Sequence, residues 1–241
     1  MNCEASHTDA VVASLIGRRS VSPKRLAHPG PDFAKIDLML QAALRAPDHG
    51  GLHPWRVIEF REDQRAALGD VFEQEKLRRD PLASALDLHR ARDHALLAPV
   101  LMAFVISPQA RSKVPVREQW LASGAALGNL LNAAHLLGYG AIVLSGERCF
   151  DAVLLAQLGV ARDEHLAGFI TIGRIVNAPP CARSVAPTQV WSCWNPDPQT
   201  PLAGDTCCAA RSIANAEQAQ LFGRCESQGS DDFPESLTLR C

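Results

Sequence analysis

Between Pro115 and Gly138 the chain reads PVREQWLASGAALGNLLNAAHLLG, and this stretch constrains the fold more than any other. Trp120, Ala122, Ala126, Leu127, Leu130, Leu131, Ala134 and Leu137 recur at helical spacing and leave almost no polar side. A long helix of that kind is expected to be buried all round. Its small residues, Ala122, Ser123, Gly124, Ala125, Ala126 and Gly128, let another backbone come close, so it belongs at the centre of the domain or of a subunit interface.

The segments around it supply the sheet that such a helix needs. VLMAFVI within 98–107 is a continuous apolar run, as expected of a strand covered on both faces, and AIVLSG (141–146) and HLAGFITIG (165–173) read as further strands. RVIEF at 56–60 reads as a short strand, followed by the exposed, charged helix REDQRAALGDVFEQEKLRRD. Val11, Val12, Leu15 and Ile16 mark a helix from Asp9 to its stop at Gly17. Asp32 reads as the N-cap of another helix, whose stripe of Ile36, Met39, Leu40, Ala43 and Leu44 ends at Pro47, and residues 150–158 form a short helix. Strands alternating with helices give an α/β or α+β sheet domain.

At 241 residues, with 47% apolar and 21% charged residues and a net charge of −2, the chain suits one globular domain with an appendage, and it has no basic excess for a nucleic-acid partner. The longest nearly uncharged apolar stretch, Ala95 to Ser107, is too short to span a bilayer. The opening MNCEASHTDA has neither a basic nor an apolar targeting region, so a cytoplasmic location is expected. Four of the eight cysteines fall in the last thirty-five residues and no C-x-x-C pair occurs, which points to reduced thiols and no structural metal. Residues 196–241 are rich in helix breakers and are expected to form a poorly ordered tail, with a weak helical pattern around 209–222.

Two places hold residues suited to an anionic ligand. Arg18, Arg19 and Ser20 follow a helix directly, offering two fixed cations and a hydroxyl to a phosphate or carboxylate; arginines at a helix end also simply complement its dipole. Arg45 stands at the end of the next helix with the same two readings. After it comes LRAPDHGGLHPW (44–55), in which Gly50 and Gly51 allow close approach of backbone to a ligand, Pro47 and Pro54 restrict the chain, and Trp55 can anchor the loop. His49 and His53 have the H-x-x-x-H spacing of a metal pair, but the intervening glycines and Pro54 forbid the helix that this spacing requires.

RRS, LRAPDHGGLHPW, KVPVREQW opening the long helix, GYGAIVLSG and GFITIG, in that order and spacing, resemble the nitroreductase-like flavoproteins, and most closely a subgroup whose loop reads Ala-Pro-Asp-His. The resemblance covers residues 9–195. It implies an α+β, three-layer fold with a mixed central sheet flanked by helices, a homodimer, and FMN held between the subunits and reduced by NADH or NADPH. The implied function is FMN-dependent transfer of hydride, through flavin N5, from nicotinamide to a small electrophile such as a nitroaromatic or quinone. A flavin sensor or carrier, or a member that consumes the flavin itself, are the alternatives. By position, Arg18, Arg19 and Ser20 match the segment that grips the FMN phosphate and ribityl end, and Arg45 and His49 match residues that contact FMN, His49 from the partner chain. Val143, Leu144 and Ser145 match the strand end beside the isoalloxazine, and the N–H of Gly146 matches the support of N5. No side chain is implied as a catalytic nucleophile. Subgroup relatives carry Trp-Arg where Val143 and Leu144 stand, and Arg183 stands where many relatives have a late cation. Asp48 and Glu118 are further acids near the expected site.

Overall fold

The computed structural model describes residues 5–180, 185–192 and 194. In chain order the elements are α1 (Ala5–Gly17), β1 (Leu26–Ala27), α2 (Phe33–Ala43), β2 (Trp55–Phe60), α3 (Arg65–Arg79), α4 (Ala85–Asp93), β3 (Val100–Ile106), α5 (Val116–Leu136), β4 (Tyr139–Leu144), α6 (Ala152–Gln157) and β5 (His165–Ile175). The chain divides into two units, residues 1–179 and 180–241, and the described part of the second holds one short 3-10 turn, Pro187–Gln189. The tail expected over 196–241, and Arg183, lie outside the described residues.

The five strands form one sheet. β3 lies between β2 and β5, and β4 pairs with β5 from Tyr139↔Arg174 to Leu144↔Phe169. Ala27 also pairs with Arg174, so β1 sits on the β3 side of β5, beyond the end of β3. All these pairings are antiparallel; the sheet is mixed only through a parallel bridge from Ser20 to Ala141 at the outer edge of β4. That close crossing depends on Gly140, because a Cβ there would lie 2.7 Å from Leu26 and 3.0 Å from Val21.

The continuous apolar run of β3 is explained by its place between two helical layers. Val100, Met102, Phe104 and Ile106 face one core with Ile36, Met39 and Ala43 of α2 and Ala126, Leu130 and Ala134 of α5. Leu101, Ala103 and Val105, one residue out of phase, face a second core with Leu68 and Phe72 of α3 and Leu154 of α6. Asp32 caps α2 by accepting from the Lys35 N–H.

Two helices differ from expectation. α3 is not merely a solvated helix: Arg65 and Glu75 are buried on its inner face beside Leu68 and Phe72. Arg65 lies among backbone carbonyls, donating to Phe60, Ala98 and Pro99, which locks the start of α3 to the segment entering β3. α5 is not buried all round. One stripe enters the core, but Leu121 is 72% exposed and Trp120 and Leu136 are also exposed. Its small residues on that side, Gly124 and Gly128, have nothing within 4 Å of a built Cβ. Among the described residues no helix is long and apolar enough to cross a membrane.

Candidate functional site

The loop between α2 and β2 is rigid because it is bonded at nearly every turn. Gly50 (φ 82°), Gly51 (φ 61°) and His53 (φ 47°) all take left-handed conformations, which glycine adopts freely and histidine does not. Asp48 holds the strained residue, its Oδ2 accepting from the His53 N–H at 2.6 Å while its carbonyl accepts from Gly51 N–H. The side chain of Gln109 donates to the Leu52 carbonyl at 2.8 Å, and Trp55 stacks on Phe104 with ring centroids 5.5 Å apart.

The polar residues of α5 do the rest. Ser123 Oγ donates to the Pro54 carbonyl, Asn129 Nδ2 donates to the Ala42 carbonyl, and Glu118 Oε2 lies 2.8 Å from His49 Nδ1. Gln119, fully buried, accepts from Gln109 N–H and donates to the Val114 carbonyl, tying down the segment before α5. A helix read as nearly without a polar side thus positions the loop through its few polar residues. Glu118 is engaged by His49 of its own chain.

A second cluster forms where β4 ends. The ladder stops at Leu144↔Phe169, and Gly146 then takes φ 147° and ψ −170°, a region open essentially to glycine alone. Leu144, Ser145 and Gly146 line a cavity of about 380 Å³ together with Ser22, Lys24, Phe72, Arg79, His94, Glu147 and Arg148. Its charged floor is built from α3. Glu75, with no exposed surface, receives the Arg79 guanidinium at 2.8 Å, and Arg79 also reaches Glu147 at 2.7 Å. Arg148 lies over the Phe72 ring at 4.4 Å, with its Nε 3.6 Å from Glu75 Oε2. Burial pulls the Arg148 guanidinium below its ordinary pKa and pushes the neighbouring Cys149 thiol up. Cys149 packs in the second core as a small apolar residue.

Leu144, Ser145 and Gly146 therefore share one cavity. Val143 precedes them on β4, and Arg18, Arg19 and Ser20 run beside the other end of that strand, two residues ahead of the cavity residue Ser22. Arg19 turns back to donate to the Ile16 and Arg18 carbonyls, capping α1, whereas the side chain of Arg18 makes no hydrogen bond among the described residues. Arg45 and His49 are exposed, on the loop, and do not line the cavity. Lys24, Arg79, His94 and Arg148 escaped sequence reading: α3 and the turn after Gly146 carry ordinary surface-like charges, and nothing local says that Glu75 and Arg148 meet.

The sequence model of the nitroreductase family matches residues 15–174. The chain belongs to the nitroreductase family. Membership assigns it to the oxidoreductases. A curated Escherichia coli (strain K12) relative, "Putative NAD(P)H nitroreductase YdjA", is 31% identical over 159 residues, covering 66% of this chain and 85% of that protein. Solved family folds are similar at lower identity. A nitroreductase-like family protein from Bacillus cereus superposes with a TM-score of 0.64 at 20% identity, covering 76% of this chain and 95% of that one. The FMN and NADPH-dependent nitroreductase NfnB from sphigopyxis sp. strain HMH gives a TM-score of 0.60 at 19% identity, covering 77% and 99%.

Proposed function

We propose that the chain is an FMN-dependent NAD(P)H oxidoreductase, working as a homodimer, that reduces a small electrophile such as a nitroaromatic or quinone. The observation that carries this reading is the cavity at the end of β4. Its volume of about 380 Å³ lies in the range of small-molecule and cofactor sites. Its wall combines apolar surface from Leu97 and Leu144, cations from Lys24 and Arg148, and a glycine whose Cβ position is open, so that a flat ring can approach the backbone. These residues fit FMN. Bound there, FMN supplies the redox chemistry, taking hydride from a nicotinamide and passing it to the acceptor.

The protein's own residues then have binding and orienting roles. Arg18, with Ser20 beside it, serves the phosphate end; Arg19 fixes the backbone that carries them. Leu144, Ser145 and Gly146 lie along the ring, and Val143 shapes the strand behind them. Arg45 and His49, exposed on a rigid loop, are presented to the flavin of a second subunit, with Glu118 orienting His49. The dimer follows from the exposed apolar residues of one helical layer, which a second copy would cover. In this reading the flavin-binding domain spans 9–195 and 196–241 is a tail.

Purified protein titrated with FMN, then mixed anaerobically with NADH or NADPH, tests the proposal. A yellow complex bleached by either nicotinamide and recoloured by a quinone or nitroaromatic is expected; a complex indifferent to both nicotinamides indicates a flavin carrier.

A further inference from the structure

We infer that Arg148 is the residue through which the cavity holds the pyrimidine edge of the flavin ring, at N1 and the C2 carbonyl, and that it favours the reduced ring over the oxidised one. This deepens the FMN reading above and rests on it.

The side chain of Arg148 is only 15% exposed, yet among the described residues none of its N–H donors makes a hydrogen bond. A guanidinium carries five such donors in a planar fork, and withdrawing them from water without a partner is unfavourable. One side of the group is held. The Phe72 ring lies 4.4 Å from its centre, and Glu75, fully buried, sets an oxygen 3.6 Å from Nε that has no hydrogen-bond donor of its own. The remaining side opens on the cavity, next to Leu144, Ser145 and Gly146. What the structure presents is an immobilised cation with unused donors facing a ligand space.

The other cations of the wall are differently disposed. Arg79 is engaged by both Glu75 and Glu147, and Lys24 is an exposed point charge on a flexible stem. Only Arg148 offers a rigid planar fork, which matches two adjacent in-plane acceptors. The N1 and C2-carbonyl edge of an isoalloxazine is such a pair. Transfer of hydride from NAD(P)H adds two electrons and one proton to the neutral ring and releases the nicotinamide as its oxidised cation. The ring is left with one negative charge, spread over that edge, so a fixed cation there binds the reduced ring more tightly.

The test uses the full-length protein loaded with FMN, reading the dissociation constant of oxidised FMN by fluorescence quenching and the two-electron midpoint potential by reductive titration against a redox dye. Arg148→Met is expected to weaken binding of reduced relative to oxidised FMN at least tenfold, which lowers the midpoint by about 30 mV. Arg148→Lys, which keeps the charge and loses the fork, should recover part of the shift. If Arg148→Met fails to fold, the double variant Arg148→Met, Glu75→Gln removes both charges together and carries the same expectation. An unchanged midpoint in a variant that still binds FMN overturns the role of Arg148 and leaves the FMN reading standing. Wild-type protein that does not bind FMN overturns both.

Discussion

On one side of the sheet, α2 and α5 cover Val100, Met102, Phe104 and Ile106, with α1 packed on α5; on the other, α3 and α6 lie over Leu101, Ala103 and Val105, with α4 packed on α3. Inward, the two layers are alike. Outward they differ in charge, although Leu86 on α4 and Val153 on α6 are exposed as well. The α3/α4 surface is laced with ion pairs, Lys76–Asp80, Arg78–Asp151, Arg92–Asp70 and Arg90–Asp87 among them. The α1/α2/α5 surface exposes Ile16, Phe33 and Leu121 at 68%, 82% and 72%. Solvated charge finishes a surface, whereas a layer of exposed large apolar side chains marks one that another protein surface covers. In the proposed dimer the α1/α2/α5 side is the one that meets a second copy, and the loop that carries Arg45 and His49 is fastened to that side by α5.

The largest effect that can break this comparison comes from a charge placed on each outer surface. Leu121→Glu should abolish the dimer in sedimentation velocity, since burying one unpartnered ion costs several kcal/mol, while Leu77→Glu on α3 should leave the sedimentation coefficient unchanged. Equal behaviour of the two variants would erase the distinction. Truncations in the two cores test the claim that the layers are alike inside. Leu130→Ala and Leu154→Ala, at positions with 1% and no exposure, should each cost about 3 kcal/mol in chemical denaturation.

Arg18→Ala should weaken FMN binding by about 2 kcal/mol in a fluorescence titration, through loss of a charged hydrogen bond. Arg19→Ala should act chiefly on α1, because its guanidinium already serves the carbonyls of Ile16 and Arg18. Equal losses of FMN affinity would return Arg19 to the binding set. The smallest expected effect concerns pH. Arg56 bonds both oxygens of Glu164 at 2.7 and 2.6 Å and draws its pKa from 4.5 to about 2. A depressed carboxylate contributes stability that is complete above its unfolded pKa and fades as pH falls through the folded one. Stability should therefore decline from about pH 4.5 towards 2 by up to about 2 kcal/mol from this group, and Glu164→Gln should flatten that part of the profile.

Elements set by local pattern were readable in the sequence. The continuous apolar run of β3, the Asp32 cap and the stop at Gly17 each rest on a few neighbouring residues, and the structure has all three. α4 gave no such signal: ALDLHRARD is mostly polar, buries only Ala91, and exists because it packs on α3. The exposure of α5 was unreadable for a different reason. An apolar helix surface looks the same in sequence whether its own chain or a partner covers it, so the stripe predicted the helix and left the covering undetermined. At the site, the glycine-rich loop and the end of β4 announced themselves by residues that only unusual backbone requires. The pairing of Glu75 with Arg148, far apart in sequence, did not, because it depends on how α3 lies against the turn after Gly146.

The most direct test of the account is anaerobic absorbance titration of the purified protein with FMN and then NADPH or NADH, with the loaded species followed by sedimentation. One FMN per chain on a dimer is expected, with the flavin absorbance bleached by a nicotinamide. A protein that stays monomeric and colourless at saturating FMN would contradict it.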